Sequence, residues 1–409
     1  MGGGMARNLA KCGFEVHGYD LYQPSVDKLV EAGGKAAPSP AKAAESADVL
    51  VLMVVNNQQA DAVLFDPEGG AVAALRKEAT IILCSTTAPA YQHELRRHID
   101  EAGRPDVRLL DCPVSGGSIR AANGTLSIFS SGPDAHLDAV ADVLNAMADP
   151  LYRIPGGISM GSVAKMCHQH QAATNIIMVS EAMGLAAVAG LDTKTVYEAI
   201  NQSAGWSWMF ENRGPHMLGN DWGTVHSAVS IILKDAKIVA EHARNTGFPL
   251  PLENAATELY IAGTHAGFTK EDDAGLVRLY LPKDKQDAVG QLAKGEQTRQ
   301  GKGDVTVETI VDVLAGVHLA STSECMKFAQ YVGMDVELLV DIITRGAGSS
   351  NMFKTAVPQM LKAGDFSLHS VKESSGIQTN LKAALDKAAA LGQPLPMAAA
   401  AFQQMLFDR

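Results

Sequence analysis

The sequence predicts an α/β domain built on a parallel sheet, followed by an all-α domain written twice. Three observations carry this. Short apolar runs alternate with helical patterns over residues 1–153, unbroken helical spacing takes over from about residue 157, and the text of the helical part recurs at a constant offset of 143 residues.

The chain opens on a glycine-rich helix entry, Met1-Gly2-Gly3-Gly4, with Met5, Leu9 and Ala10 on one side of the helix. Gly13 stops it, and residues 14–20 read as a strand that ends in Asp20. A glycine-rich helix start followed some twenty residues on by an acid at a strand end is the second half of a dinucleotide-binding βαβ unit. On that reading Gly2 matches a fingerprint glycine. Asp20 accepts from ribose hydroxyls and repels a 2′-phosphate, which favours NAD over NADP. A loop-capping aspartate is the plainer alternative. The strand expected before Gly2 is missing, so the expectation is a truncated dinucleotide-binding domain rather than a decayed one.

Residues 49–55, 80–84 and 108–111 are the next apolar runs. Apolar, β-rich runs of this length suit strands covered on both faces, as in a parallel sheet. Asn56 follows the first of them, Ser85 and Thr86 the second. Ligands of open α/β sheets bind beyond the carboxyl ends of the strands, so these three residues are candidates for cofactor contact. The third run leads into Asp111-Cys112-Pro113-Val114-Ser115-Gly116-Gly117. Ser115, Gly116 and Gly117 offer a hydroxyl and unobstructed backbone N–H groups, which suit a small anion, best a carboxylate. A tight turn that needs glycine is the alternative.

Glycines at 156, 157 and 161 precede a long helical pattern through Val163, Met166, Cys167, Thr174, Ile177, Met178, Glu181, Leu185 and Val188. Lys165, His168 and Gln169 fall on one face of its first turns, in an otherwise apolar segment. A lone lysine there would snorkel to solvent. His168 beside it favours a site over that reading.

The repeat is read from matched text. Ser180-Glu181-Ala182-Met183 matches Ser323-Glu324-Cys325-Met326, Phe210 matches Phe353, and His226-Ser227 matches His369-Ser370, each 143 residues apart. In the second copy Glu308 stands for Lys165, Ile377 for Lys234, and Ser349 and Asn351 for Trp206 and Trp208. A copy that keeps its packing and loses its chemistry is expected to be a structural partner, an intrachain pseudo-dimer of helical domains. The expected boundaries are 1–153 for the dinucleotide-binding domain, 154–282 for the helical catalytic domain, 283–303 for a linker and 304–409 for the degenerate copy.

The motif D-C-P-V-S-G-G, the run of glycine and serine ending at Lys165, and Lys234-Asp235 resemble, in order and spacing, the β-hydroxyacid dehydrogenase family that includes 3-hydroxyisobutyrate dehydrogenase. The stretches 165–171, 207–213 and 267–273 look most like its L-threonate dehydrogenase branch. The resemblance implies a Rossmann-like domain followed by an all-α dehydrogenase domain, here in two copies. It also implies NAD as cofactor, a small carboxylic-acid substrate, substrate contacts from Ser115, Gly116, Gly117, His168 and Lys234, and Lys165 as the acid/base. Asp235 is implied on the cofactor side. The family's middle glycine ahead of the lysine is Ser159 here.

The chemistry agrees with those residue types. Taking hydride from a carbinol carbon requires its hydroxyl to lose a proton, so a positioned base must lie within hydrogen-bond reach. The expected reaction is oxidation of an L-threonate-like acid to the 2-oxo acid. The alternatives are activity of the 3-hydroxyisobutyrate dehydrogenase or tartronate semialdehyde reductase type, and a non-catalytic scaffold that has lost cofactor binding.

Composition excludes other classes. A net charge of −11 and a pI near 5.5, with no basic tract, argue against nucleic acid and acidic membrane surfaces. Five scattered cysteines lack metal-ligand spacing, so no metal is expected and free thiols in a cytoplasmic setting are the default. No membrane-spanning run is expected, and assembly into homo-oligomers is left open.

Overall fold

In the computed structural model, which describes residues 1–295 and 303–408, the chain divides into two units, Met1–Met166 and Cys167–Arg409. Residues 296–302 of the expected linker lie outside the described residues.

The sheet of the first unit follows from its apolar runs. Strands β1 (His17–Gly18) and β2 (Lys35–Ala36) pair in parallel, as do β3 (Val49–Leu52), β4 (Thr80–Leu83) and β5 (Arg108–Asp111) in the order β3-β4-β5. Strand alternation sends Ile81, Leu83 and Leu109 to one face with Leu95 and Ile99, and Ile82 and Leu110 to the other with Met5, Leu9 and Leu144. Both faces are therefore covered, which is why these strands read as continuous apolar runs. The edges of β1 and β3 belong to separate sheets and line one cavity of about 580 Å³. β6 (Val114–Ser115), β7 (Leu126–Ser130) and β8 (Ala148–Arg153) form a third, mixed sheet.

Two strands are shorter than expected, for local reasons. The run 49–55 stops pairing at Leu52, because the Ser85 hydroxyl takes both the N–H and the carbonyl of Val54, at 2.9 and 2.8 Å. The run 14–20 keeps only two residues in the strand, limited by its two-residue partner β2.

The helix Met160–Val188 is the long helix expected from residue 157 on. By length and composition it could cross a membrane, contrary to the expectation that no segment would. Yet 94% of its apolar window is buried within the protein, so it is a core helix.

The second unit is helical, and its helices recur. Thr193–Ile200 begins 143 residues before Val336–Arg345, and Trp208–Gly219 the same distance before Asn351–Ala363. Their N-caps match too: Asp192 and Asp335, Ser207 and Ser350, each accepting from the backbone of its own first turn.

The two copies are joined by reciprocal contacts. Glu181 accepts from Met397 N and Ala398 N, both at 2.9 Å, at the start of Pro396–Phe407. Its counterpart Glu324 accepts from Leu252 N and Glu253 N, at 3.1 and 3.0 Å, at the start of Pro251–His265. Neither helix has a side-chain cap of its own, so each copy satisfies the open N-terminus of the other. Ser207 and Ser350 form an antiparallel bridge with the same reciprocity: Trp208 N donates to Ser349 O at 2.9 Å and Asn351 N to Trp206 O at 3.0 Å.

Candidate active site

The Asp111 carboxylate anchors the start of the long helix. It is fully buried and accepts from Ser162 N at 2.6 Å, Ser162 Oγ at 2.8 Å and Gln92 Nε2 at 2.9 Å. Burial pushes it up to about 7 despite these donors. Residue 161 has to be glycine, because a Cβ there would lie 2.3 Å from the carbonyl oxygen of Phe129 and 2.6 Å from that of Asp111. Gly161→Val should therefore lower the melting temperature by ten degrees or more, by roughly 3 kcal/mol or above from overpacking against backbone, as a thermal melt would read. Sequence reasoning assigned Asp111 no role of its own; its position at the head of the anion motif was the available signal.

Ser115 ends β6, and Gly116 and Gly117 open the helix Gly117–Asn123. Both glycines have positive φ, +133° and +72°, where side chains are strained. At Gly116 a Cβ would also meet Arg120, whereas above Gly117 nothing lies within 4 Å. Ser159 has φ +84°, a conformation that glycine takes freely, so serine carries strain of about 1 kcal/mol where the family has glycine.

Among the cofactor candidates, Gly2 and Asp20 line the same cavity. Gly2 is the first residue of the helix Gly2–Lys11, with backbone N–H groups open at its start. Asp20 is exposed and accepts from Tyr22 N at 2.9 Å, so the loop-capping role is present as well. A glycine helix start and a carboxylate on one cavity fit the pyrophosphate and adenosine ribose of a dinucleotide. Asn56 caps the helix Asn57–Phe65 through Gln59 N. The Ser85 hydroxyl is buried on Val54, so its side chain ties two strand ends together; Thr86 beside it is partly exposed.

Lys165 lies in the second turn of the long helix and is only 4% exposed. Farther along, in the second unit, His168 Nδ1 lies 3.1 Å from Gln169 Oε1, Gln169 Nε2 donates to Asp235 Oδ2 at 2.6 Å, and Lys234 Nζ lies 2.9 Å from Asp235 Oδ1. One network, buried at His168, Gln169 and Asp235, thus joins four of the residues named in the sequence. Asp235, expected on the cofactor side, is the carboxylate that ties Lys234 to the long helix. Gln169 is the link that sequence spacing could not supply, since its partner is 66 residues away.

Two of the stretches that resembled one branch of the family, 207–213 and 267–273, also meet. Arg213 donates to both carboxylate oxygens of Asp273, a buried pair, and Asp272 accepts from His226 N and Ser227 N. All five cysteines are unpaired, and four are buried. No metal-binding cluster occurs among the described residues.

Comparison with known proteins shows the family and the fold. A family model described as the NAD binding domain of 6-phosphogluconate dehydrogenase matches residues 1–161. A second, the NAD-binding domain of NADP-dependent 3-hydroxyisobutyrate dehydrogenase, matches twice, over 159–280 and 301–407. L-threonate dehydrogenase of Cupriavidus necator is 39% identical over 280 residues, covering 68% of this chain and 93% of that protein. The Escherichia coli K12 enzyme of the same name is 38% identical, covering 68% and 91%. Among solved structures, 3-hydroxyisobutyrate dehydrogenase from Salmonella typhimurium is 36% identical with a TM-score of 0.63, covering 68% of this chain and 96% of that one. Plasmodium falciparum 6-phosphogluconate dehydrogenase shares the fold over 100% of this chain and 90% of that one, with a TM-score of 0.72 at 15% identity. The chain belongs to the 3-hydroxyisobutyrate dehydrogenase-like β-hydroxyacid dehydrogenases, with L-threonate dehydrogenases among its near relatives, and is an NAD-dependent oxidoreductase acting on CH–OH groups.

Proposed function

We propose that the protein oxidises a short polyhydroxylated acid of the L-threonate type at the alcohol beside its carboxylate, with Lys165 taking the hydroxyl proton. The observation that carries this is Lys165 itself, an amine almost withdrawn from water on the core helix, with His168 farther along the same helix. The L-threonate dehydrogenases at 38–39% identity supply the substrate class. Gly2 and Asp20 would hold the pyrophosphate and ribose ends of NAD, which would supply the hydride acceptor. The N–H groups of Gly116 and Gly117 and the Ser115 hydroxyl take the substrate carboxylate. Lys234, tethered by Asp235, contributes a positive charge toward the acid, and His168 orients the reacting hydroxyl.

Asp20→Asn tests the cofactor assignment. Removing the charge that repels a 2′-phosphate should raise the preference for NADP over NAD by about tenfold, equivalent to about 1.4 kcal/mol, as the ratio of kcat/KM values would show. The substrate assignment is tested by NADH formation with L-threonate against 3-hydroxyisobutyrate. Faster turnover of the three-carbon-chain acid would move the reading to 3-hydroxyisobutyrate activity, and no turnover of either would favour the scaffold.

We also propose the domain limits 1–153, 154–282 and 304–409, the last two forming an intrachain pseudo-dimer. The exchange of helix caps by Glu181 and Glu324, together with the Ser207–Ser350 bridge, supports it: equivalent residues make equivalent contacts in both directions, as across a two-fold interface.

A further inference from the structure

His168 is buried at 1% exposure, and each edge of its ring meets a different copy of the helical domain. The Nδ1 edge faces Gln169 Oε1 at 3.1 Å. Because Gln169 Nε2 is committed to Asp235, the amide presents an acceptor, so the ring donates from Nδ1. The Nε2 edge packs on the second copy. A Cβ added at Gly346 would lie 2.6 Å from His168 Nε2, 3.1 Å from His168 Cδ2 and 2.8 Å from the carbonyl oxygen of Ile342.

Gly346 caps the helix Val336–Arg345 with φ −106°, a backbone that any residue adopts. Space, rather than the turn, excludes a side chain there. The repeat gives an internal comparison. At the offset of 143 residues, His168 corresponds to Val311 and Gly346 to Ser203. The copy with the large ring is matched by a glycine in its partner, and the copy with the smaller valine by a serine.

We infer that the second helical copy, though it lacks both lysines, is a working part of the first copy's site, with Gly346 as the positioning residue that leaves room for the His168 imidazole and fixes its orientation. That this orientation serves the substrate hydroxyl rests on the proposed dehydrogenase reading; the seating of the ring does not.

The test is a double-mutant cycle on the full chain, read two ways. In imidazole ¹⁵N–¹H spectra, the His168 signals, assigned by their loss in His168→Ala, should show a proton on Nδ1 and should move in Gly346→Ala. In NADH formation, Gly346→Ala should lower kcat/KM by about tenfold in the parent and have little effect in the His168→Ala background, a coupling of about 1.4 kcal/mol. Unmoved His168 signals, or equal losses in both backgrounds, would overturn the proposal. If Gly346→Ala does not fold, the double variant decides: recovery of folding on removing the ring supports it, and failure of both places the clash on Ile342 and sinks it. Should the parent turn over no hydroxy acid, the dehydrogenase reading fails while the spectra still decide the seating of the ring.

Discussion

Lys165→Ala should reduce kcat with L-threonate by about a thousandfold, the range a positioned general base supplies, while NAD still binds. Its hydroxyl proton has to leave as the carbonyl forms, and a solvent base reaches an enclosed carbinol poorly. The loss should therefore appear mainly in kcat rather than in KM, because the carboxylate contacts proposed for Ser115, Gly116 and Gly117 are untouched. Lys165→Arg should not rescue, since guanidinium stays protonated throughout the accessible range. Quenching of protein fluorescence by NAD separates this outcome from simple unfolding. A variant that keeps more than about a tenth of parental kcat would remove Lys165 from the chemistry, since a general base is worth at least a hundredfold.

Legibility from the sequence differed by element for physical reasons. The strands β3, β4 and β5 were visible because burial on both faces requires apolar residues at every position, and Thr80–Leu83 is buried throughout. The third sheet was not: β6 is two residues long, and β7 carries serines at both faces of its apolar core. Lys165 and His168 stood out because a cation and an imidazole on an apolar helix face are conspicuous at helical spacing. The partners that hold the site came from far along the chain. Asp111 reaches Ser162 over 51 residues and Gln169 reaches Asp235 over 66, distances at which no periodicity carries information. Glu181 and Glu324 were read only as marks of the repeat. Their exchanged role as helix caps depends on how the two copies face one another, which a repeat offset does not encode.

That exchange leads to the largest expected effect on stability. Glu181→Ala with Glu324→Ala strips two helix N-termini of their acceptors and leaves four buried N–H groups without them, at about 1–3 kcal/mol for each helix. The double variant should melt roughly ten degrees lower, at about 2–4 °C per kcal/mol for a unit of this size. Glutamine should behave differently, and the difference depends on pH. Burial pushes Glu181 up to about 8 and Glu324 up to about 7, against 4.5 for the free side chain. An acid whose folded value is raised binds its proton more tightly in the native state, so its contribution is complete below pH 4.5 and falls away as pH rises through 7 and 8. The buried Glu253, raised in the same way, adds to that fall. His170, which contacts Glu253 and Glu324, and His318 are lowered by burial and act in the opposite sense, costing stability as pH drops below 6.5. Glu181→Gln with Glu324→Gln keeps one acceptor oxygen at each helix start, sets an amide NH2 against the second N–H at a cost that does not vary with pH, and takes the two carboxylates out of the titration balance. Its melting temperature minus the parent's should therefore rise steadily from pH 5 to pH 8.5, while the alanine pair stays below the parent throughout. A glutamine difference that is flat across that range would mean that both carboxylates remain ionised, held by the N–H pairs and the positive end of each helix against the cost of burial.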